Sequence, residues 1–348
     1  MATRPPQTRR TTAAQPPHNR RMATIMTAMR FFLFKRLMTM LASLLGASLL
    51  VMLVLEVLPG NAAQVMLGPD ASPQAVRALA RQLGLDEPLA LRYLHWLGGL
   101  VTGDLGTSYT YDVPAREMIV ESLALTIPLA LLAMALTVLI ALGTGLVAAA
   151  HHNRPADVLT MGLTQIGMAI PNFWFAILLV LVFAVQLHWL PAGGFPGWSA
   201  AAGGGLRPAL QALVLPAVSL AVVQSAMLAR ITRSALLDVL REDYVRTARA
   251  KGLSRRATLL RHVLRNALIP VVTVAGLQFA NLLAGTIVVE SVFHLPGLGQ
   301  LIFKSIENRD MVVVRNCVLL LAAMVIVVNF LVDVLYALID PRIKPGDV

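Results

Sequence analysis

Lysine residues are the first side chains of this sequence that could do chemistry, because a lysine in a glycine-rich loop binds the phosphates of a nucleotide. Such a loop places glycine directly before its lysine. The lysines here follow phenylalanine, alanine or isoleucine instead: Lys35, Lys251, Lys304 and Lys344. The sequence therefore predicts that this chain does not hydrolyse ATP by itself and is not an enzyme in its own right.

Histidine and cysteine offer no metal or redox chemistry either. The histidines include no pair at i and i+4 beside a glutamate, and the adjacent His151 and His152 fit an ordinary end of a membrane span. Cys317 is the single cysteine, so no disulfide framework exists. The sequence predicts no metal site and no cofactor.

Basic residues are concentrated in one stretch, 230–265. It holds Arg230, Arg233, Arg241, Arg246, Arg249, Lys251, Arg255, Arg256, Arg261 and Arg265. No stacking aromatic platform is interleaved with them, so binding to nucleic acid is not expected. The segments on either side are strongly apolar, which predicts a basic connector at a membrane surface.

The elements that position these residues are membrane spans. The chain is 57% hydrophobic with only 14% charged residues and a mean hydropathy of +0.71, far from the balance of a soluble domain. A span needs about 20 apolar helical residues. The qualifying segments are 37–58, 123–150, 159–187, 210–228, 269–289 and 311–338. We expect an all-α, polytopic membrane protein with about six transmembrane helices and both termini on one side.

Arginine and lysine placement predicts which side that is. Short loops rich in these residues stay in the cytoplasm, and residues 1–36 and 230–268 hold most of the 29 basic residues. Both termini are therefore expected in the cytoplasm. Residues 1–29 are rich in proline, threonine and arginine, which predicts a disordered basic arm ahead of a transmembrane domain over 30–348.

The connector 59–120 is the largest region on the expected outer face. Ser72 and Pro73 predict the start of a helix whose apolar positions end at Leu83, and a second apolar stretch follows. A helical cap over the outer mouth and an anchor lying on the membrane surface both fit. Two smaller outer connectors are expected, a flexible glycine-rich loop over 191–208 and a turn with an amphipathic helix over 294–310.

Charged residues and prolines within the spans keep another functional class open. A charge at mid-bilayer costs roughly 2.5 to 3.5 kcal/mol, so Asp333 could serve a proton-coupled secondary carrier, the alternative function. A membrane assembly factor that moves no solute is a third class. Pro128, Pro171 and Pro216 interrupt three spans, and the carbonyls they free need protein or water to cover them. This pattern predicts a bundle around a passage.

The basic connector 230–268 has a helix, glycine, helix pattern. Glu242 and Asp243 suit the positive end of one helix. Gly252 permits a left-handed turn, and Ser254 can cap a second helix that runs toward Pro270. The sequence predicts a bent pair of helices projecting from the membrane.

The string RTARAKGLS resembles the EAA loop of the membrane subunits of binding-protein-dependent ABC importers. Arg246, Thr247 and Ala248 stand at its Glu-Ala-Ala positions, and Gly252 follows after three residues. Arginine in place of glutamate, and a proline displaced to Pro270, are typical of the dipeptide, oligopeptide and nickel permease branch. Other strings similar to that branch follow residue 30: QLGLDEPLALRYLHWLGGLVTGDLGTSY, AIPNFWFAILLVLVF, WLPAGG, VVESVFHLPGLGQL and LIDPRIK.

The resemblance implies a type I ABC importer permease fold in a bacterial inner membrane. The implied partners are a second permease subunit, two ATPase subunits and an external solute-binding protein, with ATP driving alternating access through the loop 244–255. The implied ATPase-coupling residues are Tyr244, Arg246, Thr247, Ala248, Lys251, Gly252 and Leu253. On the residues alone, a connector held by anionic lipid remains the other interpretation of this loop.

The translocated solute is less defined by the sequence. Short peptides are the first expectation from the resemblance, with nickel chelates, glutathione or opine-like compounds as alternatives. The candidate pathway residues lie near prolines or the expected outer mouth: Asn172, Phe173, Trp174, Asn281 and Glu290.

Overall fold

The computed structural model describes residues 18–57, 62–68, 70–82, 84–200 and 203–339. Within these ranges the chain is mostly helical, and its β-structure is limited to an isolated bridge between Thr107 and Pro114. In chain order the helices are α1 His18–Val57, α2 Ala62–Leu67, α3 Pro73–Gln82, α4 Leu89–Thr102, α5 Ala115–Ala150, α6 Pro155–Ala169, α7 Asn172–Leu179, α8 Leu206–Leu240, α9 Asp243–Ala250, α10 Arg255–Thr258, α11 Leu264–Val292, α12 Leu298–Glu307 and α13 Met311–Ile339. Two π-helical segments extend this set: Val180–Gln186 continues α7, and Leu259–Val263 joins α10 to α11.

Long apolar helices form the bundle, and α5 packed on α8 is its most extensive contact. The single helices long and apolar enough to cross a membrane are Phe31–Val57, Ala115–Ala150, Leu206–Leu240, Arg255–Val292 and Met311–Leu335. Counting α6 and α7 as one bent span gives six. The predicted all-α, polytopic architecture is confirmed in the described part of the chain.

The third predicted span, 159–187, is not one straight helix. Helices α6 and α7 meet at a bend of 103°. Ile170 before Pro171 is extended, with φ −88 and ψ 125, because a proline disfavours the helical conformation of the residue before it. Pro128 and Pro216, by contrast, lie inside the unbroken α5 and α8, where close packing holds the helix together.

The second helix of the basic connector runs toward Pro270, as predicted, and continues through it. The segment Arg255–Val292 is one continuous span that contains this proline. Ala267 and Val271 on either side of it are buried in the apolar cluster formed with α5 and α8. Packing of this kind lets membrane helices tolerate a proline.

Helix α1 begins earlier than the sequence suggested. It includes residues 18–29, which we expected in the disordered arm; alanine and methionine, both strong helix formers, are frequent there. Residues 1–17 lie outside the described residues, so that part of the arm stays a prediction.

The region between α1 and α5 contains the predicted helices. Helix α3 begins at Pro73, and the Ser72 hydroxyl accepts a hydrogen bond from the N–H of Ala75 at 3.2 Å. Leu83 lies outside the described residues. The buried Trp96 of α4 packs against α1 and α13, which favours a helical cap on the bundle over a surface anchor.

The two smaller outer connectors differ from each other. In 191–208, the N–H of Gly194 donates to the Phe293 carbonyl at 2.8 Å, and the Trp198 indole donates to the Ala124 carbonyl at 2.9 Å. Residues 194–198 are therefore tied to the bundle, where we expected a flexible loop. The amphipathic helix of 294–310 is present as α12. Below, the α4 end of the bundle is the end with α4 and α12, and the α9 end is the opposite one.

Candidate functional site

The helix pair at the α9 end is anchored by its first turn. The Val245 side chain is buried in a cluster with residues of α5, α8 and the span that begins at Arg255. The Tyr244 hydroxyl accepts a hydrogen bond from Asn266 Nδ2 at 2.6 Å. One face of α9 therefore packs on the spans of the bundle, and the rest of α9 projects from it.

Gly252 forms the turn between α9 and α10. Its φ is +91, a left-handed value that glycine adopts without strain. The N–H of Gly252 donates to the Arg249 carbonyl at 3.0 Å, and that of Leu253 donates to the Ala248 carbonyl at 3.3 Å, the two bonds of a Schellman C-cap. The Ser254 hydroxyl then accepts from the Ala257 N–H at 3.3 Å. The predicted helix, glycine, helix geometry is confirmed.

The projecting surface of this turn, which we call the α9 knob, consists of Arg246, Thr247, Lys251 and Gly252, all exposed. Ala248 and Leu253 are half-buried beneath it. A Cβ added at Gly252 would meet nothing within 4 Å. The knob is small, basic and free of contacts around its tip, so its shape suits insertion into a groove of another protein.

A mostly buried ion pair lies at the α9 end, and sequence reasoning gave it no role. The Asp157 carboxylate accepts two hydrogen bonds from the Arg233 guanidinium, at 2.6 and 2.7 Å, and a third from the Asn153 N–H at 3.0 Å. The pair joins the α5–α6 turn to the end of α8. Its one sequence signal was a lone acid next to the basic turn 151–154.

The pathway candidates at the α6–α7 bend lie together in part. A Cβ added at Gly285 would stand 3.5 Å from Asn172 Nδ2, and Asn281 lies one helical turn before Gly285 on α11. Phe173 and Trp174 are about half exposed. The bend thus brings Asn172 against α11, one helical turn from the position of Asn281, and leaves two aromatic rings partly uncovered.

Glu290 is not at an open mouth. Its side chain is fully buried, although we expected this residue near the outer mouth. One carboxylate oxygen accepts from the Thr126 hydroxyl at 2.6 Å and the other from the Gly299 N–H at 2.7 Å. The carboxylate ties α11 to α5 and α12, so this residue holds the α4 end together and does not line a passage.

Comparison with known families identifies the chain. Residues 141–345 match the model of the "Binding-protein-dependent transport system inner membrane component", and residues 29–130 match its N-terminal companion, "Binding-prot-dependent transport system membrane comp, N-term". The chain belongs to this family. It is an inner-membrane subunit of an ABC importer, with several membrane-spanning helices.

Individual relatives of this permease cover almost its full length. The glutathione transport system permease protein GsiC of Escherichia coli is 41% identical over 313 residues, 90% of this chain and 98% of that protein. The dipeptide transport system permease protein DppB of Alkalihalophilus pseudofirmus is 39% identical over 329 residues, 90% of this chain and 99% of that protein. A crystal structure of an amino acid ABC transporter with histidines aligns with a TM-score of 0.46 and 19% identity, covering 65% of this chain and 94% of that one.

The residue that suggested a proton-coupled carrier is already paired in this permease. Asp333, which prompted it, forms an ion pair with Arg36 at 3.3 Å. The pair joins α13 to α1, whose packing on each other is extensive. Asp333 therefore has a structural partner, and the family is one of ABC importer subunits.

Proposed function

We propose that the α9 knob is the part of this permease that binds the ATPase subunits and couples ATP hydrolysis in those subunits to transport. The observation that carries the proposal is the rigid attachment of the knob to the spans. The α9 knob is exposed, yet Val245 and Tyr244 fix its base to α8 and to the continuous span Arg255–Val292. A displacement of the knob would move two spans together.

Rigidity matters because the energy to be transmitted is large. Moving a two-state equilibrium from 1:99 to 99:1 takes about 5.5 kcal/mol of differential binding. A knob joined by a loose linker would absorb the displacement. The Schellman cap, the Ser254 cap and the buried Val245 fix the knob rigidly to the spans.

The full assembly we propose contains a second permease subunit, two ATPase subunits and an external solute-binding protein. The charge bias of 1–36 and 230–268 supports an orientation with both termini and the α9 knob in the cytoplasm. The names of the relatives, glutathione and dipeptide permeases, support short peptides, glutathione included, as the solute class. The passage would run past Asn172, Phe173, Trp174 and Asn281.

Affinity purification of the tagged chain from native membranes tests the coupling role. Wild type is expected to retain two ATPases and a second permease. Gly252→Arg is expected to lose the ATPases and transport while keeping the second permease, because the added side chain has room in the free chain and would collide only with a docked partner.

Gly252→Ala is the matched control for that experiment. It imposes a similar backbone strain at positive φ, about 1 to 2 kcal/mol, without the bulk. We expect it to retain most of the ATPase. Equal ATPase recovery with Gly252→Arg and wild type would refute the docking role of the knob, and equal loss with Gly252→Ala would assign the effect to strain.

A further inference from the structure

A pocket at the α4 end lies apart from the α9 knob and from the α6–α7 bend. Its volume is about 660 Å³, within the range typical of sites for small molecules. It is lined by the end of α1, the turn before α4, helix α4 itself, residues 104–109 and the start of α13. The charged and aromatic side chains that line it are Glu56, Glu87, Arg92, His95, Trp96, Asp104, Tyr109 and Arg315.

Most of the charges in this pocket are already paired. Arg92 donates to both carboxylate oxygens of Glu56 at 3.1 Å. His95 lies 3.3 Å from the Glu87 carboxylate. Arg315 is the charged basic side chain of the pocket that these pairs do not include.

Arg315 lacks an anionic partner. No carboxylate of the described residues lies within ion-pair distance of its guanidinium, and its buried Nε atom has no hydrogen-bond acceptor. The guanidinium lies 4.8 Å from the centre of the Trp96 ring, and the Trp96 indole is itself fixed by a 2.9 Å hydrogen bond to Asn316. The arginine is therefore held in place by stacking, with its buried Nε–H donor still to be satisfied.

Tyr109 adds a second donor to the same pocket. Its ring packs against the apolar cluster of α5, α12 and α13, and its hydroxyl has no hydrogen-bond partner among the described residues. Burial raises the pKa of the Tyr109 hydroxyl, so at neutral pH the group is protonated and can donate.

We propose that this pocket binds the carboxylate of a small zwitterionic solute, with Arg315 as its principal ligand and Tyr109 as a second donor. A guanidinium fork matches a carboxylate with two parallel hydrogen bonds. Asp104, which lines the same pocket and has no basic side chain as an ion-pair partner among the described residues, provides an anionic group for an ammonium. Because the pocket is built by one chain at the α4 end, its occupation does not depend on the α9 knob.

Binding of dialanine to the full chain, purified with its second permease and its ATPases but without the solute-binding protein in phosphatidylcholine nanodiscs, tests this site. Isothermal titration is expected to show saturable binding to wild type. Arg315→Gln is expected to raise the Kd about tenfold or more, the usual effect of losing a charged hydrogen bond. Arg207→Gln, at an exposed arginine at the start of α8 outside the pocket, is the control, and it should bind as wild type does.

The ligand can be changed instead of the protein, which keeps the test valid if Arg315→Gln folds poorly. Dialanine amide lacks the carboxylate and is expected to bind wild type at least tenfold more weakly than dialanine. Equal affinity for the acid and the amide, equal affinity of wild type and Arg315→Gln, or the absence of saturable binding would each overturn the proposal. Native mass spectrometry that finds a phospholipid retained by wild type and lost from Arg315→Gln would reassign the anion to a lipid headgroup and overturn the solute proposal.

Discussion

The α9 knob differs from the contacts of the Glu290 carboxylate with Thr126 and Gly299, which we call the Glu290 tether, in how its ionisable side chains are placed. At the α9 end the arginine and the lysine of the knob are exposed, and the ion pair between Arg246 and Asp243 spans 3.6 Å in solvent. At the α4 end the Glu290 carboxylate is fully buried, and the groups it contacts belong to other helices. The first region thus leaves its charged side chains in solvent, whereas the second uses a buried carboxylate to join helices of this chain to each other.

Close approach of glycine to Glu290 sharpens this contrast. A Cβ added at Gly297 would stand 2.4 Å from the Glu290 carboxyl carbon, and one at Gly299 would stand 2.4 Å from the Ile287 backbone. The tether thus depends on backbone that only glycine provides. At Gly252 the surrounding space is open, so there glycine is required by the turn and not by packing.

Removal of the Glu290 carboxylate is expected to have the largest effect on stability. Glu290→Ala leaves the Thr126 hydroxyl and the Gly299 N–H without their buried acceptor, at a cost of about 3 kcal/mol in the free energy of unfolding. Glu290→Gln keeps an acceptor and should cost less. Equilibrium unfolding in mixed detergent micelles measures both.

Glu307→Ala, at the exposed end of α12, is the control for that series and should change stability by less than about 0.5 kcal/mol. If Glu290→Ala were no more destabilising than Glu307→Ala, the carboxylate would not be a tether. The Glu290 tether and the α9 knob would then differ in the burial of their side chains but not in their contribution to stability.

The sequence predicted one of these two regions well and the other poorly, for a physical reason. The turn at Gly252 is formed by residues close together in the sequence. Its helix caps, glycine and small residues lie within a dozen positions, so their pattern can be recognised from the sequence. The Glu290 tether joins residues that are 164 positions apart in the chain, and nothing near Glu290 distinguishes a buried acid from one that reaches water.

Prolines show the same limit within the spans. Pro128, Pro171 and Pro216 look alike in the sequence, yet Pro171 marks a bend of 103° while the other two lie in unbroken helices. Tertiary packing decides between these outcomes. The positions of the spans could be predicted because each span needs a long apolar segment. Whether a span is straight or bent could not be predicted from that pattern.

The ion pair between Asp157 and Arg233 is expected to give an intermediate effect, because it is charged and mostly buried but lies at the α9 end. A double-mutant cycle with Asp157→Asn and Arg233→Gln should show a coupling energy of about 2 kcal/mol, within the range for contacting charged groups. Pairing Asp157→Asn with Arg241→Gln, an exposed arginine at the end of α8, should be additive. Additivity in the first cycle would mean that buried charge does not join helices at this end.

Arg246→Ala is expected to have the smallest effect on stability and the most selective effect on function. The side chain is exposed and its ion pair with Asp243 is a solvated surface pair, so the free energy of unfolding should change by less than about 0.5 kcal/mol. If the α9 knob contacts an acidic rim on an ATPase, recovery of that subunit should fall several-fold, and the difference from wild type should shrink at high salt, where exposed charges are screened. Asp243→Asn removes the intramolecular partner of Arg246 while keeping the arginine, and it should leave recovery unchanged. A matched loss with Asp243→Asn would show that the ion pair within α9, and not the arginine offered to a partner, is what the docking surface requires.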